Sequence, residues 1–463
     1  MNARNVWCVV ALACCVSGAS CHSCRGETAL SDLSIADLQK EVRRISPPDS
    51  ATTRFRGEHA LMRVLLAVAP ERLSRFKFDL EYDLDDKDMV EYVFHDIDDK
   101  QRQNTIKAHF QKAPAQGGIK VLTDVDDTMY ANLVDKRFGN VRDGNGAKPL
   151  YPGVLAFYNS MKHESFEGDG VLATSTGVTK VPVTTLSARP NPFAGELERA
   201  SLRKLAALPT PAGSHLQLLP SALSGAIFSS TLGTAESVVR AKIQRRLQPN
   251  QGILAVLHDH VPDKQEREIG EVKFKNFLEF AAVYPEYRYV FVGDSGQADA
   301  LTAQLLITDT SEPATSKVLT TFIHALKADD NLKERKSKAF DALRPDIRVN
   351  ETSPSGRGVI VFRNYIDAAV IAYTHRATLR EPVTSRELIT AQELAVIVES
   401  ALAEFEAQAA GIASSARALL RQEFAQDAER AASLLAAEPS LSPVVGRIRA
   451  TLKSGFWRPA ALG

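Results

Sequence analysis

Residues 117–130 read GGIKVLTDVDDTMY, an apolar run from Ile119 to Leu122 that leads straight into Asp124, Asp126 and Thr128. In an open α/β sheet, ligands are held beyond the carboxyl ends of the strands, so these carboxylates are expected to project into a site. Two carboxylates one residue apart at a strand exit can divide labour, one as nucleophile and the other as general acid/base. Further apolar runs follow at Val181–Leu186, Leu216–Leu219, Ile253–Leu257, Tyr289–Val292 and Val359–Phe362, with amphipathic stretches between them. Short apolar runs alternating with helical segments predict an α/β fold, a Rossmann-like parallel sheet covered on both faces.

Three of these segments add chemistry. RYVFVGDSGQAD (288–299) is a second strand ending in carboxylates, Asp294 and Asp299, around Ser295 and Gly296. Glycines let the backbone approach a ligand, and carboxylates suit a hard, oxygen-preferring cation such as Mg²⁺. The run Val181–Leu186 ends in Ser187-Ala188-Arg189-Pro190, where a hydroxyl, backbone N–H groups and a guanidinium fork can meet phosphate oxygens. Glu271–Tyr284 reads as a helix with Phe277, Phe280, Ala281 and Tyr284 on one face, and Lys273 one turn before Phe277 can reach the sheet edge. Each piece has an ordinary structural explanation by itself. Thr128 can cap a turn, and Lys273 can be a solvated helix charge. Their order along the chain is what makes one site of them.

Taken together, DVDDT, LSARP, Lys273 twelve residues before Pro285, and GDSGQAD resemble the haloacid dehalogenase superfamily of phosphotransferases. Within it they look most like the catalytic domain of actin-patch-associated phosphatidate phosphatases, and GVIVFRNYIDAAVIAY resembles that domain's closing segment. The resemblance covers roughly residues 113–375. It implies that Asp124 attacks phosphorus, that Asp126 acts as general acid and then base, and that Thr128 supports the two carboxylates. It also implies that Ser187 and Lys273 hold phosphoryl oxygens. Asp124, the backbone carbonyl of Asp126 and Asp294 would hold Mg²⁺, with Asp299 ligating directly or one step removed. Val125 stands where the family usually has isoleucine, and Arg189 departs from its small, serine-rich turn. The expected substrate is a phosphomonoester, phosphatidate first. Two other readings stay open at this level: a phosphatase for a small soluble phosphorylated metabolite, and a non-catalytic module that binds a cation or a lipid headgroup.

The rest of the chain frames that centre. Of 463 residues, 56 are Lys or Arg and 56 Asp or Glu; a net charge of zero speaks against nucleic acid as a partner. All five cysteines (Cys8, Cys14, Cys15, Cys21 and Cys24) lie at the start, so disulfide frameworks, zinc ribbons and thiol nucleophiles are absent from the main body. Arg4, the apolar run Val6–Val16 and the small residues after it predict a signal peptide over residues 1–20 and delivery to the secretory pathway, with a peripheral membrane contact or a lipid anchor at Cys21 as a variant. Residues 25–112 are expected to form a mixed, helical region, with a helix start near Ser31 and Ser34 and a helical period through Leu61, Leu65 and Leu66. Residues 376–463 are expected to form a helical hairpin or one extended helix along Leu394, Ile397, Val398, Ala401, Leu402 and Phe405. HDIDDK (95–100) imitates the aspartate motif with Lys100 in place of threonine and reads as a solvated acidic loop or a loose cation site. His258-Asp259-His260 has metal-like spacing after a strand, but lone H-x-H pairs are usually incidental.

Overall fold

The computed structural model describes residues 30–45, 51–81, 89–115, 119–131, 135, 137–138, 141, 150–161, 183–186, 218–220, 263–296, 298–326, 348–349, 358–374 and 388–457. The leader, Ser187–Pro190 and His258–His260 lie outside them.

Among the described residues, seven strands form one sheet: β1 (Ile119–Thr123), β2 (Val183–Thr185), β3 (Leu218–Pro220), β4 (Arg288–Asp294), β5 (Val318–His324), β6 (Arg348–Val349) and β7 (Val359–Phe362). Their order is β3-β2-β1-β4-β5-β7-β6 and every pairing is parallel. Parallel strands covered on both faces are apolar without interruption, and β1 is buried at all five positions. Successive side chains enter opposite layers. Ile119, Val121, Val290, Val292, Phe322 and Phe362 join one core, while Leu122, Tyr289, Phe291, Ile323 and Val359 join the other.

The first layer is C-terminal. Helices α5 (Val154–Met161) and α8 (Tyr365–Thr374) lie against the sheet, backed by α9 (Ala391–Gln408), α10 (Ser414–Leu435) and α11 (Ser442–Lys453). Among the described residues the C-terminal region holds three helices, the first two joined by a short turn, and not one extended helix. The chain turns at Ala409–Gly411 and again at Pro439, where proline starts a new turn. The expected stripe is real, since Leu394, Ile397, Val398, Ala401, Leu402 and Phe405 are all buried. Burying each larger aliphatic or aromatic chain there contributes roughly 1.5–3 kcal/mol. Thr390 and Glu393 start α9 with reciprocal side-chain-to-backbone bonds.

The opposite layer holds α6 (Asp263–Val283) and α7 (Asp299–Thr308), joined by the N-terminal helices α1 (Ile35–Arg44), α2 (Ala51–Ala67), α3 (Leu73–Glu81) and α4 (Lys100–Phe110). Ser34 caps α1 by accepting from Asp37 N at 3.1 Å. Leu61 and Leu65 are buried, in line with their spacing. This N-terminal region does not stand apart: Leu38, Phe76 and Phe110 share a core with Phe277, Tyr284 and Phe291. A buried polar joint fixes it there, with Lys77 Nζ donating to Val283 O at 2.8 Å and to Glu286 Oε2 at 2.9 Å, and Ser74 Oγ donating to Glu286 Oε1. The aspartate-motif imitation has a structural role. Asp99 N-caps α4, accepting from Gln101 N and Arg102 N. No helix among the described residues is long and apolar enough to cross a membrane.

Candidate active site

The strand order sets the location. From β1 the chain builds outward to β2 and β3 on one side, then returns to place β4, β5 and β7 on the other. The crevice beyond the ends of β1 and β4 is therefore a topological switch point, the place where open α/β sheets hold ligands. Thr123 pairs with Val292, and Asp124 N donates to Val292 O at 2.9 Å, so the exits carrying Asp124 and Asp294 lie side by side.

Asp124, Asp294 and Asp299 each bring an oxygen into one group whose ligand atoms all lie within 4.8 Å of one another. Lys273 reaches this group from α6, which begins at Asp263, eight residues before the expected start. Its Nζ donates to Asp124 Oδ1 at 2.7 Å and to Asp299 Oδ1 at 2.5 Å, and only 3% of Lys273 is exposed. Asp299 opens α7 and accepts at its other oxygen from Asp294 N at 3.2 Å. Gly293 makes this approach feasible. A Cβ there would lie 2.6 Å from Asp299 Cβ and 2.7 Å from its Oδ2, so the glycine of the GD pair is needed for carboxylate packing. Asp294 Oδ1 accepts from Gly296 N at 2.6 Å.

Electrostatics show what the group lacks. Burial pushes Asp124 up, Lys273 offsets part of that rise, and the Asp299 and Asp126 charges add to it, giving a carboxyl at about 7. Burial and then the Asp299 and Asp124 charges push Asp294 well above the ordinary carboxylate range. Burial works against the Lys273 charge, but Asp124 and Asp299 overcome it and hold its pKa above the ordinary lysine range. One ammonium is thus set against three carboxylates. The oxygens Asp124 Oδ2 and Asp294 Oδ2 are buried without a hydrogen-bond partner. All-oxygen donors, excess negative charge and two orphaned oxygens fit a hard divalent cation.

Asp126 is 6% exposed, and its carboxylate is not part of the three-carboxylate group. The loop after it turns sharply, because Asp127 has φ of 57°, a left-handed conformation that aspartate tolerates better than most residues. Asp127 N donates to Tyr130 O at 2.9 Å, and Asp127 Oδ1 accepts from Asp135 N. Thr128 is fully buried, but its hydroxyl has no hydrogen-bond partner. Its carbonyl is the engaged group, accepting from Tyr365 OH at 2.6 Å. The Asp124 carboxylate is thus held by Lys273 and the Asp126 carboxylate by Tyr130 OH, with no hydrogen bond from the threonine hydroxyl. Beneath them Thr123 Oγ1 donates to Asp124 O and also meets Tyr158 OH at 2.7 Å.

Several supports of the site are not apparent from the aspartate motifs. His324, at the exit of β5, sets Nδ1 against Asp127 O and Nε2 against Arg363 O, each at 3.2 Å. Burial lowers its pKa to about 4, so the ring is neutral near pH 7 and donates to one carbonyl at a time. Ser295 links neighbouring strand ends, its N donating to His324 O and its Oγ accepting from Leu326 N. Of the expected site residues, Asp124, Lys273, Asp294 and Asp299 meet directly and Asp126 and Thr128 lie on the adjoining loop. Ser187 falls just beyond the described end of β2, where Leu186 N donates to Thr123 O at 2.7 Å. No protein-family model, curated protein or solved structure matches this chain.

Proposed function

We propose that this chain is an Mg²⁺-dependent phosphatase with a haloacid dehalogenase-type core, hydrolysing a phosphomonoester, with phosphatidate as the substrate. The observation that carries this reading is the meeting of Asp124, Asp294, Asp299 and Lys273 at the switch point between β1 and β4. Asp124 and Asp294 would hold the cation, with Asp299 beside them fixed by Lys273. When bound, Mg²⁺ supplies positive charge that offsets the carboxylates and the developing negative charge on the phosphoryl group.

The chain's own groups supply the rest. Asp124 is the nucleophile: one carboxylate oxygen forms a bond to phosphorus while the bond from phosphorus to the leaving oxygen breaks. Asp126 gives its proton to that oxygen, a step worth roughly 10²–10⁴-fold in rate. Water then attacks the aspartyl-phosphate as Asp126 takes a proton back, and Asp124 is released with inorganic phosphate. Lys273 keeps Asp124 aligned through Oδ1 and adds positive charge near the transferring group. Ser187 is the further phosphoryl-oxygen partner in this proposal.

The test is phosphate release from phosphatidate vesicles, with and without Mg²⁺. Activity that requires the cation and vanishes in Asp124→Asn is the expected result. Full activity in that variant would sink the nucleophile assignment. A preference for sugar or nucleotide phosphates over vesicles would move the substrate to the soluble class, and vanadate binding without turnover would favour a non-catalytic module.

A further inference from the structure

We infer that Tyr130 is a positioning residue for the proton donor Asp126, and that it governs how well the site expels alkoxide leaving groups. This rests on the phosphatase reading above. Tyr130 OH donates to Asp126 Oδ1 at 3.1 Å. The contact is built into the backbone. The left-handed turn at Asp127 folds the loop so that residues 126 and 130 pair as a bridge, and Tyr130 pairs in turn with Leu150. The Tyr130 ring is half-buried and packs against the C-terminal core, which fixes the hydroxyl. The tyrosine thus acts on Asp126, a motif carboxylate that is not part of the three-aspartate group.

The chemistry follows from that placement. As the bond between Asp124 and phosphorus forms, the bond from phosphorus to the leaving oxygen breaks and a proton passes from Asp126 to that oxygen. Asp126 is left as a carboxylate. A hydroxyl already donating to Oδ1 stabilises that product and fixes the carboxyl rotation. A 4-nitrophenolate leaves as a stable anion without the proton, whereas an alkoxide does not. Tyr130 therefore matters for alkyl phosphates and little for activated aryl phosphates.

The experiment compares Tyr130→Phe with the wild-type chain on two phosphomonoesters of similar size, 4-nitrophenyl phosphate and 2-(4-nitrophenyl)ethyl phosphate, with Mg²⁺ present. The expected result is a fall in kcat/KM of about 10-fold or more on the alkyl ester, with the aryl ester unchanged within about twofold. A 3-fluorotyrosine at position 130 keeps the hydroxyl and should hold the alkyl-to-aryl ratio near wild type. Equal losses on both esters, no loss on either, or a fluorotyrosine ratio as low as that of Phe would overturn the inference. Asp124→Asn should abolish turnover of both esters. Activity surviving there overturns the phosphatase reading itself, an outcome distinct from any pattern in Tyr130→Phe.

Discussion

Replacing Asp124 by asparagine should abolish turnover and, at the same time, stabilise the cation-free protein at alkaline pH. The magnitude follows from the surroundings of the carboxyl. Burial and the neighbouring Asp299 and Asp126 charges outweigh the Lys273 contact, lifting Asp124 from an ordinary 3.8 to about 7. That rise corresponds to about 4 kcal/mol of preference for the neutral form in the folded state. Because the folded pKa lies above the unfolded one, folding favours the protonated carboxyl. Its adverse contribution is absent below pH 3.8, grows as the pH climbs from there to about 7, and is complete above that. Asparagine has nearly the same shape and never carries the charge, so it avoids this cost at every pH.

Denaturant unfolding in a chelator at a series of pH values between 4 and 8 reads the effect. The two proteins should differ little near pH 4, and the variant should become the more stable by up to about 4 kcal/mol at pH 8. Adding Mg²⁺ should then stabilise the wild type strongly and the variant weakly, because a ligand that binds only the folded state stabilises by RT ln(1 + [L]/Kd). A stability gap independent of pH, or a wild type that is the more stable protein at pH 8 in chelator, would refute the picture of an overcharged carboxylate group awaiting a cation. The outcome has a wider meaning, since a residue whose removal stabilises the fold is being kept for something other than folding.

Gly293→Ala should push Asp299 off its seat, because the new Cβ would lie 2.6 Å from Asp299 Cβ; Mg²⁺ titration by calorimetry should show weaker binding, with activity lowered in step. Lys77→Met strands the buried Glu286 carboxylate and should cost about 3–5 kcal/mol in urea unfolding, much of it recovered when Glu286→Gln is added. Tyr365→Phe removes the donor to Thr128 O and should cost about 1 kcal/mol by the same measurement, with a further loss of turnover as the aspartate loop loosens.

The parts of this molecule that are legible in sequence are those where one physical requirement dominates. Ile119–Leu122 (apart from the buried Lys120), Tyr289–Val292 and Val359–Phe362 are apolar on both sides, so they announce strands, and the carboxylates just past the first two announce the site. β5 escapes the same reading although it lies between β4 and β7. Its residues VLTTFIH carry two threonines and a histidine. Two of these are partnered, with Thr320 Oγ1 donating to Gly358 O at 2.8 Å and His324 set between two carbonyls, while the Thr321 hydroxyl is buried without a hydrogen-bond partner. Without β5 in view, neither His324 nor its hold on Asp127 can be anticipated. Tyr130 and Tyr365 escape for a related reason. Their roles depend on a left-handed turn and on an interaction 237 residues apart along the chain, which no local pattern encodes.

The flanking regions change the account of the site more than their sequences suggest. Arg363 and Asn364 follow β7 directly, and both side chains donate to Asp427 on α10, at 2.6 and 2.7 Å. Arg363 O faces His324, which faces Asp127 O, so a continuous polar path joins the C-terminal helices to the loop that carries Asp126. Glu404 on α9 accepts from Gly153 N, and Gln408 donates to Leu150 O, the residue paired with Tyr130. The α9–α10 pair thus grips both walls of the aspartate loop. A loop turned through a positive φ, with a threonine hydroxyl left unbonded, holds its shape only if the surroundings over-determine it. Here the C-terminal helices supply much of that constraint, so the residues that position the chemistry extend well past the strand ends that bear it.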